Sequence, residues 1–154
     1  MRLLKVSRVR GRCDVVAVMT PAGKCQVIEF LRDAVSRYRP PADDEKEDRT
    51  SYESNCQQLF ALLRDEIPNN GPPKKMPDAK PLGDGLWEFR KNPRGKKLRL
   101  TWFEDGARFV VCVLAFTKRS TRETSPRDAL SRSRLIKKQY FEDKKRGSNT
   151  VEAP

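Results

Sequence analysis

The sequence predicts an α+β fold: a small antiparallel-rich sheet in the order β-α-α-β-β-β-α, with a helix hairpin on one face. Residues 82–119 form three apolar runs separated by a basic loop (KNPRGKK) and by EDGA, the pattern of an antiparallel meander. Two segments ahead of this block carry apolar residues at helical spacing, and Ser125-Pro126 opens another behind it. Strands gathered in one block with helices on either side define the class.

Residues 1–12 (MRLLKVSRVRGR) are basic and loosely patterned. They form a basic N-terminal arm, either frayed or added as an edge strand. Residues 14–19 are rich in β-branched side chains and read as a strand. Thr20-Pro21 is a helix start, after which Val27, Leu31, Ala34, Val35 and Tyr38 share a face until Pro40-Pro41 stops the helix. Residues 42–49 are a charged, acidic loop.

Thr50 and Glu53 have capping-box spacing, and Tyr52, Cys56, Leu59, Phe60, Leu63 and Ile67 form an apolar stripe that ends at Pro68. In the meander, residues 86–90 place Trp87 and Phe89 opposite Glu88 and Arg90. Residues 98–103 place Leu98, Leu100 and Trp102 opposite Arg99 and Thr101. Asp105-Gly106 supplies a turn. Residues 108–116 are apolar on both sides and form the central strand, covered on both faces. The last helix runs to about residue 144 with Ala129, Ile136 and Tyr140 inward, and 147–154 is a disordered tail. The domain proper is thus residues 13–146.

Composition bounds the function. The chain has 154 residues, 36% hydrophobic, with mean hydropathy −0.79. One domain with polar segments outside its core accounts for that. No apolar run reaches membrane-span length and no signal-peptide core follows Met1, which implies a cytoplasmic protein without a membrane partner. Residues 1–40 carry nine basic against three acidic side chains, 41–70 three against eight, and 71–154 twenty-one against ten. The positive excess on the meander and last helix points to a polyanion. Four cysteines without CxxC spacing read as buried thiols, not a zinc site. The chain has no histidine, which removes Ser-His, Cys-His and paired-histidine ribonuclease chemistry.

LGDGLWEFR at 82–90, the following hairpin, AFTKR at 115–119 and the proline-initiated helix together resemble the HigB-like, phage-associated branch of the RelE/ParE toxin superfamily. The resemblance implies a RelE-like fold and a ribosome-dependent mRNA endoribonuclease, without cofactor or metal, neutralised by a helix-turn-helix antitoxin. By motif position Arg90, Arg99, Lys118 and Arg119 match basic positions that members use for binding and catalysis.

Metal-free RNA cleavage needs fixed cations around the phosphorane and groups that move protons. Arg90 and Arg99 are expected side by side on an open sheet face, with Lys118 and Arg119 at the end of the central strand. Lys80, Lys96, Lys97 and Arg122 are the expected RNA phosphate contacts. Glu88 is either a base or an ion-pair partner of the arginines, and Lys118 is a base if its neighbours lower its pKa. Members often carry a terminal histidine or tyrosine; here only Tyr140 is available, and its helix phase points inward. A metal-dependent site lacks clustered carboxylates, because Asp84 and Asp105 are explained by turns. Trp87 and Phe89 read as core, not base-stacking platforms. Two other readings stay open: a ParE-like gyrase-binding toxin, and an inactive phage-derived nucleic-acid-binding protein.

Overall fold

The computed structural model describes residues 1–37, 45–94, 96–118 and 126–154, the side chains at 34–37, 45–49, 126 and 127 excepted. Seven strands form one mixed sheet: β1 (Arg2–Lys5), β2 (Asp14–Val18), β3 (Ala79–Gly83), β4 (Leu86–Lys91), β5 (Lys97–Asp105), β6 (Phe109–Lys118) and β7 (Thr150–Glu152). Their spatial order is β3-β4-β5-β6-β2-β1-β7. The meander β4-β5-β6 is antiparallel as expected, and β6 lies between β5 and β2, parallel to the latter.

The sheet is larger than the four strands expected. β1 adds antiparallel to β2 through Leu3↔Val18, so the basic arm contributes an edge strand. β3 was hidden by Pro81 and by the glycines beside it. Its hairpin to β4 turns through Gly83, Asp84 and Gly85, all at positive φ. The expected disordered tail instead supplies β7, parallel to β1, where the Arg2 guanidinium grips the Glu152 carboxylate at 2.8 and 2.9 Å.

Both sheet faces are covered. On the first, α1 (Gln26–Arg37) and α2 (Glu45–Ala61) pack Val27, Leu31, Tyr52, Cys56 and Leu59 over Leu100, Trp102 and Cys112. Trp102 is fully buried between Trp87 and Phe89, with centroids at 5.6 and 4.7 Å, so those two aromatics are core as read. The opposite face was expected to stand open. Instead α4 (Pro126–Lys145) crosses it and packs Ala129 and Tyr140 on Phe103 and Val111. Asp105 does more than make a turn: it accepts hydrogen bonds from the Tyr140 hydroxyl and the Lys144 ammonium, both at 2.6 Å.

Helix boundaries moved for local reasons. The Thr20 hydroxyl accepts the Lys24 amide in a turn, and α1 starts later, at Gln26. The Gln26 side-chain amide bonds both backbone groups of Ala115, completing β6 where β2 has ended. Residues 45–49 of the expected acidic loop belong to α2. Residues 42–44, Tyr38 and the Pro40-Pro41 stop lie outside the described residues, as do the side chains of Ala34 and Val35.

Pro68 does not end the second helix. A π-helical turn (Leu62–Glu66) leads into α3 (Ile67–Asn70), where Pro68 sits in a first turn that needs no amide from it. Residues 8–12 are stitched to this segment. Arg8 pairs with Asp65, and the Arg12 amide donates to the Pro68 carbonyl at 2.7 Å. A Cβ on Gly11 would lie 2.1 Å from that carbonyl oxygen, so only glycine fits.

The Lys144 ammonium and Tyr140 hydroxyl, working against burial, hold the Asp105 carboxyl below its ordinary range. Its contribution is therefore complete above the unfolded value, roughly pH 4, and is lost as pH falls through the lower folded value. Asp105→Asn should cost about 1–3 kcal/mol at neutral pH and less in acid. Urea denaturation at pH 7 and pH 3 checks both.

Candidate nucleic-acid interface

The candidate interface depends on one extra residue in β6. Thr101 is opposite Leu114 but Trp102 is opposite Cys112, leaving Val113 unpaired as a bulge. Strand side chains alternate, so an added residue reverses the facing of everything beyond it. Leu114, Phe116 and Lys118 thereby point to the α4 face. Without the bulge Lys118 would point towards α1 and α2.

The expected residues can now be placed. Arg90 and Arg99 are direct cross-strand partners, Lys97 is opposite Lys118, and Lys80 is opposite Glu88. All six therefore share the α4 face, five cations around one carboxylate. Arg90 Nε lies 3.5 Å and Arg99 Nε 3.7 Å from the same Glu88 oxygen. Both Nε atoms are buried and make no hydrogen bond among the described residues. Glu88 is the central counter-ion of the group.

Burial differs across this cluster. Arg99 is 1% exposed and does not stand on an open face. Its Nη1 donates to the carbonyls of Lys91 and Leu98 and to Asn92 Oδ1, at 2.9–3.1 Å, and so anchors the start of the β4–β5 connection. Arg90 and Lys118 are half-buried, while Lys80 and Lys97 are exposed. Lys96 is not part of the group: its ammonium stands over the Tyr52 ring, 5.3 Å from the centroid, on the helix-hairpin side. Arg119 and Arg122 lie outside the described residues.

Burial, and then the nearby Arg99, Lys97 and Arg90, depress the Lys118 pKa below the ordinary lysine value, with Glu88 opposing. Burial and Arg90 likewise depress that of Arg99. Tyr140 is 2% exposed, bonded to Asp105, and raised well above the ordinary phenol value by burial and that carboxylate. It is core, as its helix phase indicates.

Two contributors were missed. Asn92 completes the Arg99 anchor, and its place in a basic loop gave no sign of it. Ser133 meets Thr101 at 2.8 Å, a fully buried hydroxyl pair that ties α4 beside the cations. Among the described residues no group of three or more carboxylates or thiols could hold a metal ion, and no helix is long and apolar enough to cross a membrane.

Arg99→Ala should lower stability by about 1–3 kcal/mol, because three acceptors lose their donor. Arg90→Ala, at a half-exposed position, should stay within about 1 kcal/mol, the usual range for exposed charge pairs. Paired urea titrations separate the two arginines.

A family model described as phage-derived protein Gp49-like (DUF891) matches residues 50–135. That span holds α2 from residue 50 onward, α3, the whole β3–β6 meander and the first half of α4. No curated protein matches the chain. Covering more than half of the sequence, the match shows that this chain belongs to the Gp49-like phage-derived family, a RelE-like toxin family whose members are often the toxins of toxin–antitoxin systems.

Proposed function

We propose that the chain is the toxin of a type II toxin–antitoxin system, on the HigB-like branch. It cleaves mRNA on the ribosome without a metal and is neutralised by a helix-turn-helix antitoxin. The observation that carries this reading is the convergence of Arg90, Arg99, Lys97 and Lys118 around the single carboxylate of Glu88 on one sheet face. Guanidinium groups match phosphate oxygens bidentately and keep their charge, which suits them to a phosphorane.

In the proposed reaction the 2′-hydroxyl oxygen attacks the adjacent phosphorus in line and the P–O5′ bond breaks. The products are a 2′,3′-cyclic phosphate and a 5′-hydroxyl end. Arg90 and the Lys97 ammonium hold the non-bridging oxygens. Arg99 is a positioning residue that fixes the start of the loop carrying Asn92. Lys118 in its neutral form accepts the 2′-hydroxyl proton, a role supported by its depressed pKa, and solvent water gives a proton to the departing O5′. Lys80 and the residues beyond Lys118, Arg119 and Arg122 among them, extend the phosphate track.

Induction of the chain in a bacterial host should produce new mRNA 5′ ends phased to the reading frame. Arg90→Ala and Lys118→Ala should each reduce them about 100-fold or more, the usual scale for a lost proton-transfer or charge-stabilising group. Growth arrest without new ends would favour a gyrase-type target and overturn the nuclease.

The pH dependence tests the base separately. A depressed lysine pKa raises the neutral fraction at every pH below it. The single-turnover rate should therefore climb with pH and level off below 10.5, the unshifted lysine value. Lys118→Arg should remove that climb while keeping the positive charge, and an unchanged profile would assign the base elsewhere.

A further inference from the structure

β3 pairs with β4 only as far as Phe89. Beyond that point the outer edge of β4 borders a cleft of about 550 Å3, closed by the end of α2 and by residues 70–73 and 78. Its size falls within the usual range for small-molecule sites. Leu62, Pro72 and Pro73 supply apolar surface, and Glu66 and Asp78 supply carboxylates that form no ion pair among the described residues. The π-helical turn Leu62–Glu66 runs along the rim, and such turns recur at functional sites. Arg90 and Lys91 form the remaining wall.

Arg90 belongs to both places. Its Nε faces Glu88 in the cation cluster, while its backbone amide donates to the Asp78 carbonyl at 2.8 Å. A ligand gripped by Arg90 through a phosphate would have its next ring within reach of the cleft.

We propose that the cleft is a guanine-binding subsite, with Asp78 as the residue that selects the base. Two adjacent oxygens of a carboxylate match the two adjacent N–H donors, N1 and N2, on the guanine Watson–Crick edge. Adenine and cytosine offer one amino donor beside an acceptor, and uracil one N–H between two acceptors, so each would set an oxygen lone pair against the carboxylate. The half-buried side chains of Leu62, Pro72 and Pro73 take the ring face, and Arg90 with Lys91 takes the attached phosphate. The inference rests on the RNA reading for its substrate class, but not on cleavage.

The test is a titration of the full chain with 5′-GMP, 5′-AMP, 5′-CMP and 5′-UMP, followed by amide chemical shifts. 5′-GMP should bind at least about tenfold more tightly than the others, the scale of one good bidentate base contact. Its shifts should centre on Gly71, Asp78, Phe89 and Arg90. Asp78→Asn should reduce 5′-GMP to the level of 5′-AMP, and Asp78→Glu should keep the preference. Equal binding of all four nucleotides, shifts centred elsewhere, or an unchanged preference in Asp78→Asn would each overturn the subsite. Neither ribosome nor cleavage enters this readout. Selective 5′-GMP binding in a protein that yields no new mRNA ends would thus leave the subsite standing and remove the nuclease.

Discussion

The pairing of β5 with β6 is the constraint on which the rest of the molecule depends. β6 contributes side chains to both cores, so its register sets what each face contains. Up to Cys112 the strand alternates between the two cores in simple order. The bulge at Val113 then places Val113 and Leu114 together in the α4 core and carries Phe116 and Lys118 to the same side. A one-residue difference in that ladder would turn Lys118 to the helix-hairpin face, away from Glu88. The bulge is thus both a packing feature and the device that assembles the cations.

Setting Arg90 directly across from Arg99 is unfavourable, since like charges on facing strand positions repel. Two features offset it. Glu88 lies within ion-pair distance of both guanidinium groups, and the carbonyls of Lys91 and Leu98 draw the Arg99 Nη1 away from Arg90. The balance is incomplete, because among the described residues both Nε–H groups are buried without an acceptor at hydrogen-bonding distance. A buried donor without an acceptor is costly, and an arriving anion would relieve that cost. On the proposed reading, this incomplete pairing is what favours a phosphate.

Much of this was legible in the sequence, for identifiable reasons. Trp87, Phe89, Leu98, Leu100 and Trp102 alternate cleanly, so their strands and inward faces followed from period two alone. The doubly apolar run of β6 announced a central strand. What could not be read was whatever depends on contacts distant in sequence. β3 contains Pro81 and Gly83, which read as breakers until an edge position makes them acceptable. β1 and β7 are short and polar, and each is ordered by the other and by Arg2–Glu152. The bulge leaves no mark in a stretch as uniformly apolar as VVCVLAF, so Lys118 could be assigned to the end of the strand but not to a face.

Arg99 illustrates the difference between residue type and role. An arginine on the polar side of an amphipathic strand looks exposed, and the alternation did place it opposite Leu98 and Leu100. Yet its guanidinium is spent on the backbone at the root of the β4–β5 connection, which leaves Lys80, Arg90, Lys97 and Lys118 as the cations of the group with access to solvent. In the proposed reaction, a chain without histidine gives the proton-accepting step to a lysine shifted from its ordinary range. Burial does most of this for Lys118, and the three cations beside it, Arg99, Lys97 and Arg90, make its neutral form easier still to reach. On the proposed reading, the charge that attracts a polyanion also contributes to the shift on Lys118. Glu88, which steadies the arginines while opposing the shift on Lys118, sets how far each effect goes.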